Sequence, residues 1–290
     1  MPAAAALVFP PQGADADRLS PADFERLGRF IHRASGIKIM PNKHTMLEMR
    51  LRRRLKALGL DSFAAYCRRL FEEGGLQAEA VHLIDAVTTN KTDFFREPAH
   101  FRYLTERAVP ELLEARGEGA QITVWSAACS TGAEPYTLAM VLDDLSRRRR
   151  PFRYSILATD ICTEVLQTAI AGIYPEAALA PTPAELHKRY VQRSRDRSAG
   201  LVRIAPELRS KIRFGRLNLV EATLPAPRDL DVLFCRNVLI YFDRPTQERV
   251  VRRLCDHLRP GGHLFLGHSE TLVGVDLPLR QAAPSTFVRI

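Results

Sequence analysis

The sequence has no long hydrophobic run. Its longest stretch without Asp, Glu, Lys or Arg is the 15-residue segment Gly119–Ala133, which also contains Gln, Ser and Thr. Because a membrane-spanning helix needs about 20 mostly apolar residues, we expect no membrane insertion. The N-terminal stretch has no basic residue before its apolar run, and prolines and aspartates follow that run. We therefore expect a loose tail over residues 1–18 and no signal peptide.

Cysteine is scarce and widely spaced. The five cysteines include no C-x-x-C pair and no spacing typical of a Cys/His metal site, and their number is odd. A disulfide scaffold and a structural zinc site are therefore not expected. The composition, with 46% hydrophobic and 26% charged residues, is ordinary for a globular protein. Together these features predict a protein of the reducing cytoplasm.

Nucleotide-binding fingerprints built on several glycines are also missing. Within residues 122–136 an apolar strand runs into a turn of small residues, and a helix is predicted from Glu134-Pro135. This arrangement lets a nucleotide-like ligand approach backbone amides, but the turn has only Gly132 and there is no P-loop lysine. A smaller adenosine ligand is therefore favoured over a pyrophosphate. A tight turn that binds no ligand is the alternative.

Acidic residues are outnumbered by basic ones. The chain has 42 Lys and Arg against 33 Asp and Glu, a formal net charge of +9. A basic balance favours an acidic partner, such as nucleic acid, an anionic membrane surface or an acidic protein, and does not choose among them. A charged surface that serves only solubility is the alternative.

Two kinds of hydrophobic pattern divide the chain. Residues 19–88 are predicted to be helical, because Ser20-Pro21 is a typical helix start and apolar residues recur at helical spacing through four segments. Residues 89–105 are predicted to link this region to an α/β region over 106–290, in which short β-branched runs alternate with helical segments. The strand candidates are Ile122–Ala127, Tyr154–Thr159, Ile212–Leu217, Val232–Cys235, His263–Leu266 and Thr286–Ile290.

Two further features complete this organisation. The Pro-, Arg- and Ser-rich stretch at about 174–210 interrupts the strand and helix alternation and has room for a small insertion. The clearest helix of the α/β region is Arg244–Leu258, with Asp243 as its cap and Pro260-Gly261-Gly262 after its end.

Polar residues are predicted to meet where the parallel strands end. Asp160 closes the second strand, where an acid can hydrogen-bond the ribose hydroxyls of a ligand or cap the helix Thr163–Ala171. Arg236, Asn237 and Tyr241 follow a later strand, and the carboxyl ends of parallel strands form the ligand crevice. For Tyr241 a purely structural role in the core is the alternative.

A fourth informative stretch, Val87–Pro98, lies between the helical and α/β regions. It reads VTTNKTDFFREP, in which an apolar Phe pair is flanked by hydrogen-bonding groups, and Arg96 precedes a predicted helix start at Glu97-Pro98. A linker with a hydrophobic anchor is the alternative interpretation.

Four stretches, at 87–98, at 122–136, around Asp160 and at 235–243, resemble in their order and separations the CheR family of chemotaxis receptor methyltransferases. TTNKTDFFRE at 88–97 and CRNVLIYFD at 235–243 are together highly specific for that family, and GHSETL at 267–272 strengthens the match. The resemblance runs from about Leu19 to the C-terminus. It implies a small N-terminal helical domain, then a doubly wound Rossmann-like S-adenosylmethionine-dependent methyltransferase domain with a small β-subdomain insertion.

The resemblance implies transfer of a methyl group from S-adenosylmethionine to glutamate side chains of chemoreceptors, with S-adenosylhomocysteine as product and no metal. It implies that Arg96 and Tyr241 act at the reacting centre. The residues it implies for the cofactor site are Asn90, Thr92, Arg96, Glu134, Asp160, Asn218, Leu219, Arg236 and Asn237. The chemistry itself makes modest demands, because a glutamate carboxylate is already ionised at pH 7 and the leaving group is a neutral thioether.

A basic helix in the first domain is expected to contact the receptor. Between Lys38 and Arg69 there are nine Lys or Arg and two acids. Lys43, Arg50 and Arg54 fall on one stripe at helical spacing, with Arg53 nearby. The resemblance implies that this helix binds the acidic, glutamate-bearing helices of a receptor. A solvated basic face is the alternative.

The resemblance also bears on other partners. It implies a β subdomain at about 174–210 that in some members binds a receptor's C-terminal peptide, and the charged stretch Ser194–Ser198 leaves that open here. We expect a cytoplasmic protein, with recruitment to membrane receptor clusters an open possibility, and no nucleic-acid partner, because no aromatic platform lies among the basic residues. A methyltransferase of nucleic acids or small molecules and a non-catalytic cofactor sensor are the competing functions.

Overall fold

A computed structural model describes residues 17–117, 119–149, 151–272, 274 and 276–290. Most of the tail predicted at 1–18 therefore lies outside the described residues. The described chain forms two compact units. The first comprises residues 17–31 and 39–87, and the second comprises His32–Lys38 and the described residues from Thr88 onward. Among the described residues, no helix combines the length and apolar composition that crossing a membrane requires.

The first unit is helical, as predicted. Its helices are α1 (Pro21–Ser35, whose last residues belong to the second unit), α2 (His44–Leu58), α3 (Phe63–Phe71) and α4 (Leu76–Val87). Ser20 and Ser62 cap α1 and α3, since their hydroxyls accept from the backbone N–H groups of Asp23 and Ala65 at 3.1 Å. The leucines that recur every four residues along α2 are buried, which makes them the core side of this unit.

The second unit contains a seven-stranded sheet. Its helices outside the insertion are α5 (Pro98–Tyr103), α6 (Val109–Arg116), α7 (Ala133–Arg148), α8 (Thr163–Ala171) and α11 (Arg244–His257). Its strands are β1 (Gln121–Ala127), β2 (Arg153–Asp160), β6 (Ile212–Arg216), β7 (Leu230–Cys235), β8 (Leu258–Leu266), β9 (Leu279–Ala283) and β10 (Thr286–Arg289).

The strand order is β6-β2-β1-β7-β8-β10-β9. The first five strands pair in parallel, and β10 and β9 pair antiparallel. From β1 the chain builds outward to β2 and β6, and then returns to place β7 on the other side of β1. The gap between β1 and β7 is thus the point where the winding direction reverses, which is where doubly wound sheets bind ligands.

The fold prediction is confirmed, with two differences in detail. Pro260-Gly261-Gly262 does not lie in a loop after the last helix, because β8 already begins at Leu258 and the glycines fall inside it. Its pairing with β7 shifts register between Leu230 and Val232, which accommodates this irregular start. Strand β9 was not predicted, because its sequence LRQAA has no apolar alternation and its residues are largely exposed.

The predicted insertion forms a small separate sheet. Strands β3 (Ile173–Pro175), β4 (Val191–Arg193) and β5 (Leu201–Ile204) pair antiparallel in the order β3-β5-β4. Two short helices belong to this region, α9 (Ala184–Tyr190) and α10 (Pro206–Arg209). Alternate residues of β5 are buried, so this sheet has one packed face and one exposed face.

Candidate cofactor and methyl-transfer site

The predicted polar residues meet at the carboxyl edge of the sheet. Ala127 is in register with Thr159 of β2 and with Cys235 of β7, and Cys235 is in register with Leu266 of β8. The segments that follow these strands therefore emerge side by side, on both sides of the gap between β1 and β7.

Backbone strain concentrates at the same edge. Seven residues other than glycine have a positive φ within the described parts of the chain. Five of them belong to the segments that form this edge: Phe95, Glu97, Ala128, Ser130 and Asn237. Such conformations cost on the order of 1–3 kcal/mol each and tend to cluster at functional sites. The surrounding contacts must therefore hold these segments in place.

The turn after β1 is bonded to the end of β2. The backbone N–H of Ser130 donates to Asp160 Oδ2 at 2.8 Å, and the hydroxyl of Ser130 donates to the carbonyl of Asn90 at 2.8 Å. The other oxygen of Asp160 accepts from the N–H of Cys162 at 3.0 Å. A carboxylate offers about four acceptor sites, so Asp160 can hold this backbone and ligand hydroxyls together. It is not the cap residue of α8, which is Cys162.

Arg236 is the centre of a buried charge network. Its side chain is 2% exposed, and its Nε donates to Glu134 Oε2 at 2.7 Å. One terminal nitrogen lies 2.8 Å from the carbonyl of Arg96, 3.1 Å from His100 Nδ1 and 3.3 Å from Glu97 Oε2. The network thus ties the loops after β1 and β7 to the segment before α5. A buried guanidinium is stable only with such partners, because desolvation penalises an unpaired charge.

Both carboxylate oxygens of Glu134 accept hydrogen bonds. Besides Arg236, the hydroxyl of Ser126 donates to Glu134 Oε1 at 2.7 Å, and Glu134 is buried. The charge of Glu134 is therefore compensated inside the protein. Its position at the first turn of α7 also favours a carboxylate, because the backbone N–H groups of a helix start carry partial positive charge.

His100 is a neutral member of this network. Burial, together with the positive charge of Arg236, lowers the pKa of His100 to about 4. Since Arg236 donates to its Nδ1, the neutral ring carries its proton on Nε2. The guanidinium of Arg236 also stacks near the rings of Phe101 and Phe234, at 5.3 and 5.5 Å from their centroids.

One group of side chains here has the donor set of a metal site. Glu97, His100 and His268 each offer a ligand atom, and these atoms lie within 4.8 Å of one another. Arg236 already donates to Glu97 and to His100 Nδ1, so its positive charge opposes a metal ion at these atoms. We interpret the group as part of the hydrogen-bonded network. That the reaction needs no metal stays a prediction.

Asn237 is bonded to two acidic residues. Its side-chain amide donates to Glu97 Oε1 at 3.2 Å, and its backbone N–H donates to Glu270 Oε2 at 2.9 Å. Burial alone would raise the pKa of Glu97, but the amide of Asn237 and the charge of Arg236 outweigh it and lower that pKa below its usual value. Glu97 is therefore ionised at neutral pH and holds Asn237 in its left-handed conformation.

Asn218 and Leu219 follow β6 on the other side of β2. The amide of Asn218 donates to the carbonyl of Ala34 at 2.7 Å and its Oδ1 accepts from the N–H of Val220 at 3.3 Å. Leu219 is buried in an apolar cluster. The backbone of Leu217 donates to the carbonyl of Asp160 at 2.9 Å, which keeps this segment beside the end of β2. An apolar wall next to Asp160 suits the predicted adenine position.

Three further predicted residues are partly exposed, as Asn90, Asn218 and Asn237 are. Thr92 and Arg96 are half-buried, and Arg96 donates from one terminal nitrogen to the carbonyl of Lys91 at 3.0 Å. Tyr241 is half-buried at the end of the short turn Leu239–Tyr241. Its hydroxyl makes no hydrogen bond within the described parts of the chain. The structure thus brings most predicted cofactor residues into contact and does not join Arg96 to Tyr241.

The basic residues predicted on α2 divide into two groups. Arg54 donates to both carboxylate oxygens of Glu79, which is 5% exposed, and Arg50 donates to the carbonyl of Val87. Lys43 and Arg53 are exposed. Two of the four residues therefore bond within the first unit, and two face solvent.

Sequence reasoning assigned no role to three residues of this network. Glu97, His100 and Glu270 bond to Arg236 or to the loop that follows it. The signals were present, because Glu97 directly follows Arg96 at a predicted helix start and Glu270 lies in a polar stretch directly after a predicted strand. The sequence alone does not show the pairings, which join residues 31 to 140 positions apart.

Comparison with known proteins places these features in one family. Residues 22–88 match the family model "CheR methyltransferase, all-alpha domain", and residues 90–287 match "CheR methyltransferase, SAM binding domain". The chain is 43% identical to the chemotaxis protein methyltransferase of Salmonella typhimurium over 252 residues, which cover 87% of this chain and 84% of that protein. It is 40% identical to chemotaxis protein methyltransferase 2 of Pseudomonas aeruginosa over 265 residues, which cover 91% of this chain and 92% of that protein. The chain belongs to the CheR methyltransferase family.

Proposed function

We propose that this protein transfers the methyl group of S-adenosylmethionine to glutamate side chains of chemoreceptors, forming glutamyl methyl esters in sensory adaptation. The observation that carries the proposal is that a chain of this family has a polar network at the position where its fold binds ligands. Both family models match, and the Glu134–Arg236–Asn237 network lies at the strand ends where this fold binds nucleotide-like ligands. The relatives named above are chemotaxis protein methyltransferases.

The residues at this edge fit S-adenosylmethionine by their chemistry. The carboxylate of Asp160 can accept hydrogen bonds from ribose hydroxyls, and the buried Leu219 offers an apolar surface to an adenine ring. We propose that Glu134 accepts from the positively charged amino group of the methionine moiety and that Arg236 pairs with its carboxylate. When bound, the cofactor supplies an electrophilic methyl group on a positively charged sulfur.

The protein's contribution to the transfer is orientation in a water-poor site. The attacking glutamate is already ionised, so the protein needs no general base. Charge is dispersed as the carboxylate and the sulfonium become two neutral products, which a site with fixed dipoles and little water favours. Arg96 has guanidinium N–H groups beyond the one bonded to Lys91, and we propose that they orient the incoming carboxylate. Tyr241 is proposed to contact the reacting groups.

Receptor binding is proposed for the exposed basic residues of the first unit. Lys43 and Arg53 are exposed, and cations there would attract a helix rich in glutamate. Arg50 and Arg54 are proposed to act mainly by supporting that surface, because both bond internally. The protein is proposed to work in the cytoplasm and to be recruited to receptor clusters.

A second receptor contact is proposed for the β insertion. Its edge strand β4 lies beside a shallow depression of about 450 Å³, whose lining includes Thr182, Lys188 and Arg193. Arg193 is paired with Glu176 at 2.7 Å, while Lys188 is exposed. Basic groups beside an open strand suit a peptide with a terminal carboxylate. The family resemblance suggests this partner, and a peptide-binding measurement would test it separately.

The test of the main proposal is direct. Purified protein, methyl-labelled S-adenosylmethionine and membranes that carry chemoreceptors are incubated together, and label released as methanol by mild alkali is counted. We expect base-labile label on the receptor, and a reduction with Arg96→Ala that is larger than any loss of S-adenosylhomocysteine binding measured by calorimetry. Arg102→Ala, a nearby exposed arginine, is the matched control.

Each negative result has a definite meaning. Binding of S-adenosylhomocysteine without transfer to any receptor fragment supplied in excess would contradict the proposed function and favour a cofactor sensor. Label that resists alkali would indicate methylation of nitrogen and contradict ester formation. Full activity of Arg96→Ala would contradict the role proposed for Arg96.

A further inference from the structure

Glu270 bonds the loop after β7 to the loop after β8. Its side chain lies among backbone amides, and the residue is 6% exposed. Oε2 accepts from the N–H of Gly267 at 2.6 Å and from the N–H of Asn237 at 2.9 Å. Oε1 accepts from the N–H of Leu239 at 2.7 Å. One carboxylate thus satisfies three backbone donors from two loops.

The loop after β7 needs such a support. It leaves the strand as Arg236-Asn237 and ends at Tyr241, whose carbonyl accepts from the N–H of Lys38 at 3.0 Å, and before that end it contains no strand pairing. Asn237 has φ +60°, a left-handed conformation that costs free energy in residues other than glycine. Since Glu270 binds the amide on the strained residue and the amide two positions later, it fixes the direction in which the chain turns towards Tyr241.

Close packing restricts the other loop as well. A Cβ atom on Gly267 would lie 2.5 Å from the side-chain nitrogen of Asn237 and 2.9 Å from Glu270 Oε2. Real carbon atoms do not approach so closely, so only glycine allows the two loops to meet. The carboxylate and the missing side chain together allow the loops after β7 and β8 to pack closely against each other.

We propose that Glu270 is a positioning residue, which holds Asn237 and the Leu239–Tyr241 turn in the geometry that cofactor binding and methyl transfer require. The inference rests on the proposed function only for the expected change in kcat. Within the described parts of the chain, Glu270 accepts its hydrogen bonds from backbone amides, so its effect passes through the loop.

Replacement by glutamine makes the sharpest test, because glutamine has nearly the same shape. Its carboxamide has one acceptor oxygen and one N–H2 group, whereas the site offers N–H donors to both oxygens. In either orientation the amide nitrogen of the new side chain faces a backbone N–H. Glu270→Gln should therefore lose the bond to the amide of Asn237 or the bond to the amide of Leu239. Glu270→Ala should lose both bonds.

Three measurements follow on the full-length protein. Hydrogen–deuterium exchange of the peptide covering 236–242 should become faster in both variants. The Kd for S-adenosylhomocysteine, measured by calorimetry, should rise roughly tenfold to hundredfold in Glu270→Ala, because small displacements in a binding site have effects of this size. In Glu270→Gln, kcat should fall by more than the Kd rises, if the oxygen stays with Asn237 and the turn to Tyr241 is released.

A stability control separates positioning from general destabilisation. Leu208→Ala removes a fully buried side chain from α10 and should cost about 2–5 kcal/mol. At a temperature where all variants are folded, it should leave the exchange of 236–242, the Kd and kcat near wild type.

The outcomes can be told apart. Unchanged exchange in both variants overturns the inference, and so does faster exchange with wild-type Kd and kcat. Equal losses in Leu208→Ala would also overturn it, because they would show a purely structural effect. If the wild type binds S-adenosylhomocysteine but methylates no receptor, the proposed function fails, while a weaker Kd in Glu270→Ala still supports positioning.

Discussion

Arg54 of α2 is paired with a buried carboxylate inside the first unit. Its guanidinium binds Glu79, and the hydroxyl of Tyr66 donates to the same carboxylate at 3.3 Å. Arg54 is 22% exposed in its side chain and Glu79 is 6% exposed in its own. Removing the cation would leave a buried carboxylate with little compensation, which is more costly than the pair itself is stabilising.

We therefore predict that Arg54→Leu lowers the free energy of unfolding by about 2–3 kcal/mol. The matched change Arg53→Ala, on the exposed side of the same helix, should stay within about 0.5 kcal/mol of wild type. Thermal melts followed by far-ultraviolet circular dichroism measure both. Equal stability of the two variants would contradict a structural role for Arg54, whereas loss of receptor methylation only in Arg53→Ala would support its proposed receptor contact.

At the scale of elements, α11 begins at a side-chain cap. Asp243 Oδ1 accepts from the N–H of Thr246 at 2.9 Å, and its Oδ2 lies 2.9 Å from His32 Nε2. The bonds to Thr246 lower the pKa of Asp243, so the cap is ionised at neutral pH. This start matters for the site, because α11 immediately follows the loop that carries Asn237 and Tyr241.

We predict that Asp243→Ala costs about 1–2 kcal/mol, since the first turn of α11 loses its acceptor. Asp243→Asn keeps an acceptor oxygen and should cost clearly less. Urea unfolding monitored by the fluorescence of Trp125, the sole tryptophan of the sequence and buried in β1, reports on this unit. If both variants lose the same stability, the negative charge and its contact with His32 matter more than the cap bond.

Elements were predictable where local sequence decides them. The starts of α1, α3 and α11 follow from Ser20, Ser62 and Asp243, because a capping oxygen acts on the next few residues. Strand β9 was missed, since its partner β10 and not its own composition makes it a strand. The glycines in β8 predict a helix stop from sequence alone, because a strand start with an irregular register has the same composition as a loop.

At the scale of the whole molecule, the residue types of the site were predictable and their pairings were not. The family resemblance pointed to Glu134, Arg236 and Asn237 individually. The ion pair between Glu134 and Arg236 joins residues 102 positions apart, and the bond from Asn237 to Glu97 spans 140. Such contacts depend on strand order, which places β7 beside β1 although β2 and β6 lie between them in the sequence.

Two buried histidines should make the stability of the second unit depend on pH. Burial, with the charge of Arg236 near His100 and of Arg280 near His263, lowers both pKa values to about 4 from the usual 6.5. His100 also faces Glu97 and His268, and His263 lies 3.9 Å from Glu111. Between these two pKa values the unfolded chain binds more protons than the folded chain. Stability is therefore lost as the pH falls from about 6.5 to about 4, and this contribution is constant below that range.

For each histidine we expect a loss of about 2 kcal/mol between pH 7 and pH 5, from the pKa difference that burial causes. Urea unfolding of the wild type, followed by Trp125 fluorescence, should show the combined loss. His100→Gln and His263→Gln should each reduce the difference between the two pH values, even where they lower stability at pH 7. His82→Gln removes an exposed histidine and should leave the difference unchanged. If neither buried histidine alters it, carboxylates alone cause the acid sensitivity, and the neutral state inferred for His100 beside Arg236 is wrong.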